Sequence, residues 1–295
     1  MLGILTTMNI INNIIDIETF IIPNAFYQYL ESKPLDFWKS IIHNWENLWI
    51  LGNLIKDQLE EKGYVIIKNT DIDNNQIKMN FFLCICLIVG VPVEHNKGKE
   101  DYIWEIKVKQ IEQKLSYLST FSEHNLVANL HTDTQYHLHP EKYISLFTIK
   151  QARCGGGKTI LLDFYEVLKT LQETDEGRLC LKILQDSRFP FAVPTVFAQY
   201  KSNQEIIYSS IISNNFTIRY RYDTIHKGLI VANIPKTDKR YWALSFFENH
   251  IAKHPKQKLF HLQENHIIFI NNHRFLHGRT SFQDITRHLL RTRLN

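Results

Sequence analysis

His131-Thr132-Asp133 is the first place in this chain where residue types and spacing suit a metal ion. Residues two apart on an extended strand, or at its end, point to the same side. One imidazole nitrogen and one carboxylate oxygen then converge on a point, a mixed pair suited to a borderline divalent metal. His277, in His277-Gly278-Arg279, can supply a third ligand from a distant strand. Two histidines and one carboxylate occupy one face of an octahedron and leave the opposite face open. An open face can hold a bidentate 2-oxo acid and then dioxygen.

Arg287 lies ten residues beyond His277, and Arg291 four residues further on. A strand leaving the metal would carry Arg287 deeper into a barrel. A guanidinium buried there needs an anionic partner, and its planar fork suits a carboxylate. Gly156-Gly157-Lys158-Thr159 lacks the spacing of a phosphate-binding loop. Its glycines permit a tight turn, after which Thr159 can offer a hydroxyl to a carboxylate. Taken singly, each signal has a plainer reading: a structural histidine with a turn aspartate, solvated arginines near Arg293, an ordinary β-turn. Their order along one chain is what chance does not explain.

The elements that must position these residues follow from periodicity. Residues 10–62 read as a helical cap, with Trp38, Ile41, Ile42, Trp45 and Trp49 on one helical face. A second helix is expected over Asn53 to Glu61, stopped by Gly63. Tyr64 to Ile67 reads as a buried strand, and 74–89 as a buried helix ended by Gly90. Cys84 and Cys86 face different sides of that helix and serve as core fillers. Strands are expected at Tyr143 to Ile149, Thr159 to Leu162, Thr217 to Tyr222, Ile267 to Ile270 and Leu289 to Leu294. Helices are expected from Asp163 to Leu171, capped by Asp163 with Glu166 three residues on, over 174–187 and over 237–254. No internal repeat or low-complexity linker interrupts the chain. One β-rich domain spanning 1–295, with 1–62 as cap and 63–295 as core, is the reading.

At this point the sequence resembles the taurine dioxygenase and clavaminate synthase-like family of iron(II)/2-oxoglutarate-dependent oxygenases. The resemblance covers most of the chain. Gly63 to Lys68 and Val89-Gly90-Val91-Pro92 look like its early strand and helix end, and Leu130 to Asp133 like its first metal motif. Phe269 to Arg279 looks like its distal histidine motif and is the most specific piece. Asn265-His266 and Asn271 stand where the family usually carries Gly-Asp and Asp.

The resemblance implies an α+β, β-rich fold: a double-stranded β-helix (jelly-roll) with N-terminal and inserted flanking helices. It implies that His131, Asp133 and His277 are the iron(II) ligands. Thr159 and Arg287 match positions that bind the distal carboxylate of the cosubstrate 2-oxoglutarate, and Arg291 a position that contacts an anionic group of the primary substrate. The implied reaction consumes dioxygen, releases succinate and carbon dioxide, and hydroxylates an unactivated C–H bond of a small carboxylate-bearing molecule such as an amino acid. Asp133 argues against halogenation, which needs a small non-ligand at that position. Desaturation or ring formation is possible on the same centre.

Composition narrows the rivals. With 44% hydrophobic and 22% charged residues in 295, wholesale disorder is excluded, and four Cys rule out a disulfide scaffold. A net charge of +4 without a run of like charges indicates no nucleic-acid arm. The apolar start, Leu2 to Ile22, has no Lys or Arg before Lys33, so a signal peptide is rejected. Phe81 to Val93 is too short to span a bilayer. A cytoplasmic enzyme with a small-molecule substrate, and neither nucleic-acid nor membrane partners, is expected. The alternatives are a zinc or manganese lyase or isomerase on the same barrel, and a non-catalytic anion-binding protein. His137 and His139 read as rim residues, and Arg219 and Arg221 as sharing one strand face.

Overall fold

The structure is a computed structural model that describes residues 9–11, 13–17, 34–68, 70, 72, 74–94, 101–108, 121–122, 124–194 and 206–295. In chain order, β1 (Asn9–Ile11) and β2 (Ile14–Asp16) precede α1 (Leu35–His43), α2 (Glu46–Lys62), β3 (Tyr64–Lys68) and α3 (Asn75–Val89). β4 (Trp104–Lys107), β5 (Ala128–His131), β6 (Tyr143–Lys150) and β7 (Thr159–Asp163) follow, then α4 (Phe164–Gln172) and α5 (Asp175–Asp186). β8 (Phe189–Ala192), β9 (Ile206–Ser209), α6 (Tyr222–Val231) and α7 (Lys239–Ala252) come next. β10 (Lys258–Phe260), β11 (Ile267–Asn271), β12 (Phe275–Arg279) and β13 (His288–Leu294) complete the described elements.

The strands form a mainly antiparallel sheet in the order β1-β2-β3-β11-β6-β13-β4, a second sheet in the order β10-β7-β12-β5, and the pair β8-β9. The two-residue period of a strand sorts the core. On β11, Ile267 and Phe269 face α1, α2 and α3, packing with Trp38, Leu48, Ile55 and Phe82. The alternate residues Ile268 and Ile270 face the second sheet and meet Leu161 and Phe275. Leu162, Phe164 and Leu276 point out of the second sheet into a cluster with Val167, Leu184, Leu229 and Phe247 of the later helices. The protein is therefore layered helix, sheet, sheet, helix, and the space between the sheets receives every second residue of their strands.

Helix ends follow local chemistry. α2 stops at Gly63, whose φ of +80° suits glycine and whose N–H donates to Gln58 and Leu59 carbonyls. A Cβ there would also lie 2.3 Å from the Phe275 ring. Asn74 caps α3 by accepting from the Gln76 and Ile77 N–H groups, at 2.8 and 3.2 Å. Asp163 caps α4 as expected, but Glu166 pairs with Lys169 at 2.6 Å instead of closing a capping box.

Three expectations need correction. The amino-terminal segment is not helical throughout: Ile14–Asp16 lies parallel to β3, with Ile15 buried, because β-branched residues fit a pleated surface. Residues 18–33 of that segment lie outside the described residues. The tryptophan-bearing helix breaks at Asn44 and Trp45, where Trp45 leaves helical geometry and packs on Phe81 with centroids 6.2 Å apart. Thr217 to Arg221 is extended but joins no described sheet, making only the isolated bridge Ile212↔Ile218, and Tyr222 already begins α6. Its backbone bonds loops instead: Ile218 N–H donates to His273 O at 2.9 Å, and Thr132 N–H donates to Tyr220 O at 2.7 Å.

Candidate metal centre and anion pocket

The first two chemical residues are brought together at the end of a strand. His131 is the last residue of β5, and Asp133 lies in the turn that follows, with Thr134 at φ +50°. Strand alternation alone is not what makes them converge; the turn does. Asn272 locks it. Its side-chain oxygen accepts the Asp133 N–H at 2.7 Å, and its amide nitrogen donates to the carbonyls of Asp133 (3.2 Å) and Glu141 (2.9 Å). His277 sits mid-strand on β12, directly paired with His131 across the ladder. The register then shifts before Arg279, and a Cβ on Gly278 would lie 2.7 Å from Ala128 O. Glycine is what allows this bulge beside the site.

One ligand atom from each of His131, Asp133 and His277 lies within 4.8 Å of the others. His131 Nε2 and His277 Nε2 stand 3.7 and 3.6 Å from Asp133 Oδ1. His131 Nδ1 lies 2.8 Å from Asn129 O and must donate to it, which leaves the Nε2 lone pair facing the carboxylate. Burial, then the neighbouring His277 ring, holds the His131 pKa well below its ordinary value, so its imidazole is neutral. Burial pushes the Asp133 carboxyl up. The Arg291 guanidinium and then His277 outweigh it and hold the group well below the usual range. Two imidazole nitrogens and one carboxylate oxygen form a donor set that fits a divalent ion of intermediate hardness. The His277 Nδ1 is buried without a hydrogen-bond partner.

Arg291 reaches the same carboxylate from β13, with Nη1 3.1 Å from Asp133 Oδ2. Its Nε is buried and has no partner. It also lies over the Trp104 ring, 4.9 Å from the centroid.

Deeper between the sheets, Thr159 and Arg287 line a cavity with His277, Arg279, Leu289 and Arg291. Both sequence-predicted anion ligands are buried there. The Arg287 guanidinium makes no hydrogen bond or ion pair with a described residue and rests 5.1 Å from the Phe282 ring centroid. Burial and then repulsion from Arg279 bring its pKa down to about 9. The Gly155 to Gly157 turn is what lets the chain pass: a Cβ on Gly156 would sit 2.3 Å from Ser281 O, and Gly157 adopts φ +72°. An uncompensated buried cation is costly, and Thr159 lines the same cavity.

Two residues near the site carry no role in the sequence reading. Arg279 is buried and donates to the carbonyls of Phe121 (3.2 Å), His124 (2.8 Å) and Leu126 (2.8 Å), leaving its Nε unpartnered. It ties the approach to β5 down over the cavity. The signal was present in His277-Gly278-Arg279, since strand alternation puts Arg279 on the side of His277. Arg221 lies 3.9 Å over the Phe121 ring and forks onto Asp223 through Nε and Nη2, both at 2.7 Å. It lines a second pocket with His131, Asp133, Arg291 and Arg293. Arg219 turns away and donates to Leu138 O at 3.0 Å, so the two arginines do not share a face. His137 pairs with Glu141 at 3.2 Å, and His139 is exposed.

With this geometry in hand, the chain can be compared with known proteins. Residues 42–293 match the model of the taurine catabolism dioxygenase TauD, TfdA family. The chain belongs to that family, a family of dioxygenase enzymes, as its sequence motifs led one to expect. No curated protein matches it in sequence. Among solved structures it is similar to asparagine oxygenase in complex with Fe(II), 2S,3S-3-hydroxyasparagine and succinate, at 14% identity and TM-score 0.64, over 83% of this chain and 79% of that one. It is also similar to the non-heme iron oxygenase OrfP in complex with Fe, succinate and (3S)-hydroxy-L-Arg, at 14% identity and TM-score 0.61, over 93% of each chain.

Proposed function

We propose that this protein is an iron(II)- and 2-oxoglutarate-dependent oxygenase that hydroxylates an unactivated C–H bond of a small carboxylate-bearing substrate, with amino acids the leading class. The carrying observation is one juxtaposition. Two imidazole nitrogens and a carboxylate oxygen gather within 4.8 Å, beside a cavity whose buried Arg287 has no acid of its own. A lyase or isomerase has no use for that second feature. Family membership supports the reading, and so do the complexes of asparagine oxygenase and OrfP with iron, succinate and hydroxylated amino acids. We read the two facing sheets as the halves of a double-stranded β-helix, and the whole chain as one oxygenase domain.

His131, Asp133 and His277 would hold the iron. When bound, iron(II), 2-oxoglutarate and dioxygen supply oxidative decarboxylation to succinate and carbon dioxide, coupled to C–H oxidation. The chain supplies the rest. Asn129 O fixes the tautomer of His131 so that its lone pair faces the centre. Arg287 and Thr159 hold the far carboxylate of the cosubstrate and thereby set its register along the cavity. Arg279 fastens the Phe121 to Leu126 backbone over that cavity and keeps water out. Arg291, through the edge left free by Asp133, orients the substrate acid. No helix among the described residues is long and apolar enough to cross a membrane. A small-molecule substrate, rather than nucleic acid or lipid, and a cytoplasmic setting complete the proposal.

The test is succinate release by the protein supplied with iron(II), 2-oxoglutarate and dioxygen across a panel of amino acids and other small acids. Iron-dependent release stimulated by a substrate is expected. Release that persists undiminished in Asp133→Ala, or a wild type that never consumes 2-oxoglutarate, overturns the reading.

A further inference from the structure

The inner face of β13 carries more positive charge than the proposed chemistry uses. Arg291 and Arg293 are two residues apart on this strand, so both point between the sheets. The intervening Thr292 and the flanking Leu290 and Leu294 face the other way and are buried. Both guanidiniums sit over the Trp104 ring, 4.9 and 5.9 Å from its centroid. Both line the pocket that opens onto His131 and Asp133.

Their surroundings differ. Arg291 spends one nitrogen on Asp133 and keeps a buried Nε without an acceptor. The Arg293 guanidinium makes no hydrogen bond and no ion pair with any described residue. Asp133 and Glu141 feel its charge, but the acids around the pocket make their hydrogen bonds and ion pairs with other groups. Asp223 is forked onto Arg221. Glu141 is held by Thr134 and His137. Asp133 is committed to the metal site and Arg291. Two like charges side by side in a half-dry pocket repel, and the cost is relieved when an anion joins them.

We infer that the primary substrate carries two acidic groups, one received by Arg291 and the second by Arg293. This rests on the oxygenase reading and deepens it by naming the substrate class. The two-residue step along a strand is about 6.5–7 Å, a span suited to the carboxylates of a short diacid such as an acidic amino acid. A neutral amide in place of the second acid leaves the Arg293 guanidinium unanswered, and this is where the discrimination arises.

The experiment compares acids with their own monoamides, for example aspartate with asparagine and glutamate with glutamine, extended to the six-carbon homologue. Binding is measured by calorimetry on the full chain loaded with iron(II) and 2-oxoglutarate without dioxygen, and succinate release is measured separately in air. In at least one pair the diacid is expected to bind about tenfold or more tightly than the amide, the size of a charge-assisted contact. Arg293→Leu should bring that ratio close to one, and Arg293→Lys should restore part of it. A merely structural role would weaken acid and amide alike and leave the ratio unchanged. No preference for the diacid in any pair, or a preference that survives in Arg293→Leu, overturns the inference. A diacid that binds preferentially without any succinate release would sink the oxygenase reading and keep this one.

Discussion

The two ends of the cleft between the sheets treat charge in opposite ways. At the metal end, the buried Asp133 carboxylate is answered from within by Arg291 at 3.1 Å and by two imidazoles. At the other end, Arg279 and Arg287 line one cavity as two buried cations, and among the described residues backbone carbonyls are the only acceptors for either guanidinium. Folding therefore answers the Asp133 carboxylate from within and leaves the second end in need of an anion from outside. The difference explains why a cosubstrate with two carboxylates suits this protein, and why the metal motif can be assembled before any ligand arrives.

Removing a charge should have opposite consequences at the two ends. Asp133→Ala removes a proposed metal ligand and strands Arg291. It is expected to abolish iron binding and to lower folding stability by about 3–5 kcal/mol, read by anaerobic metal titration and denaturant unfolding. If the variant binds iron like the wild type, the metal end has been misassigned.

Arg287→Met should weaken 2-oxoglutarate by about 2–5 kcal/mol, seen as a rise in KM. The same change should leave the unliganded protein as stable as before or more so, because it removes a desolvated cation that has no partner. A loss of unliganded stability would mean that Arg287 has an internal counter-charge and that the contrast between the ends is false.

Acid should attack the metal end first. Glu141, pinned by Thr134 and His137 beside the metal turn, is pushed up by burial. The His137 bond and then Arg293 overcome this and bring it from the usual 4.5 down to about 2. Its folded pKa lies below its unfolded value, so its contribution is complete above pH 4.5 and is lost as the pH falls through 2. Glu141→Gln should flatten the fall in unfolding midpoint over that window. An unchanged acid limb would remove Glu141 from the account.

The smallest expected effect is at Thr159. Thr159→Val keeps the shape and removes one hydroxyl, costing about 0.5–1.5 kcal/mol of cosubstrate affinity with little change in thermal midpoint. An effect as large as that of Arg287→Met would show that the hydroxyl, rather than the guanidinium, dominates the cradle.

The candidate positions His277 on β12 and Arg291 on β13 could be placed from the chain because strand direction follows from a period of two, whereas Arg279 and Arg293, on the same strands, were given no role. Gly63 as a helix stop and Asp163 as a cap were equally readable, since each acts within its own turn. The Thr217 to Tyr222 segment was not. Its alternation is that of a strand, yet its N–H and C=O groups go to Thr132 and His273, residues far off in sequence.

The amino-acid order alone settled which groups could bind a metal and an anion, because ligand chemistry belongs to the side chain and spacing along a strand sets its side. Which charges are answered was decided only in three dimensions. Asp133 finds Arg291, Arg221 finds Asp223, and the Arg287 and Arg293 guanidiniums form no ion pair with a described residue, because burial and pairing depend on neighbours that distant segments bring together. The turn that swings Asp133 back toward His131 was likewise decided there, since Asn272 holds it from the far side of the fold.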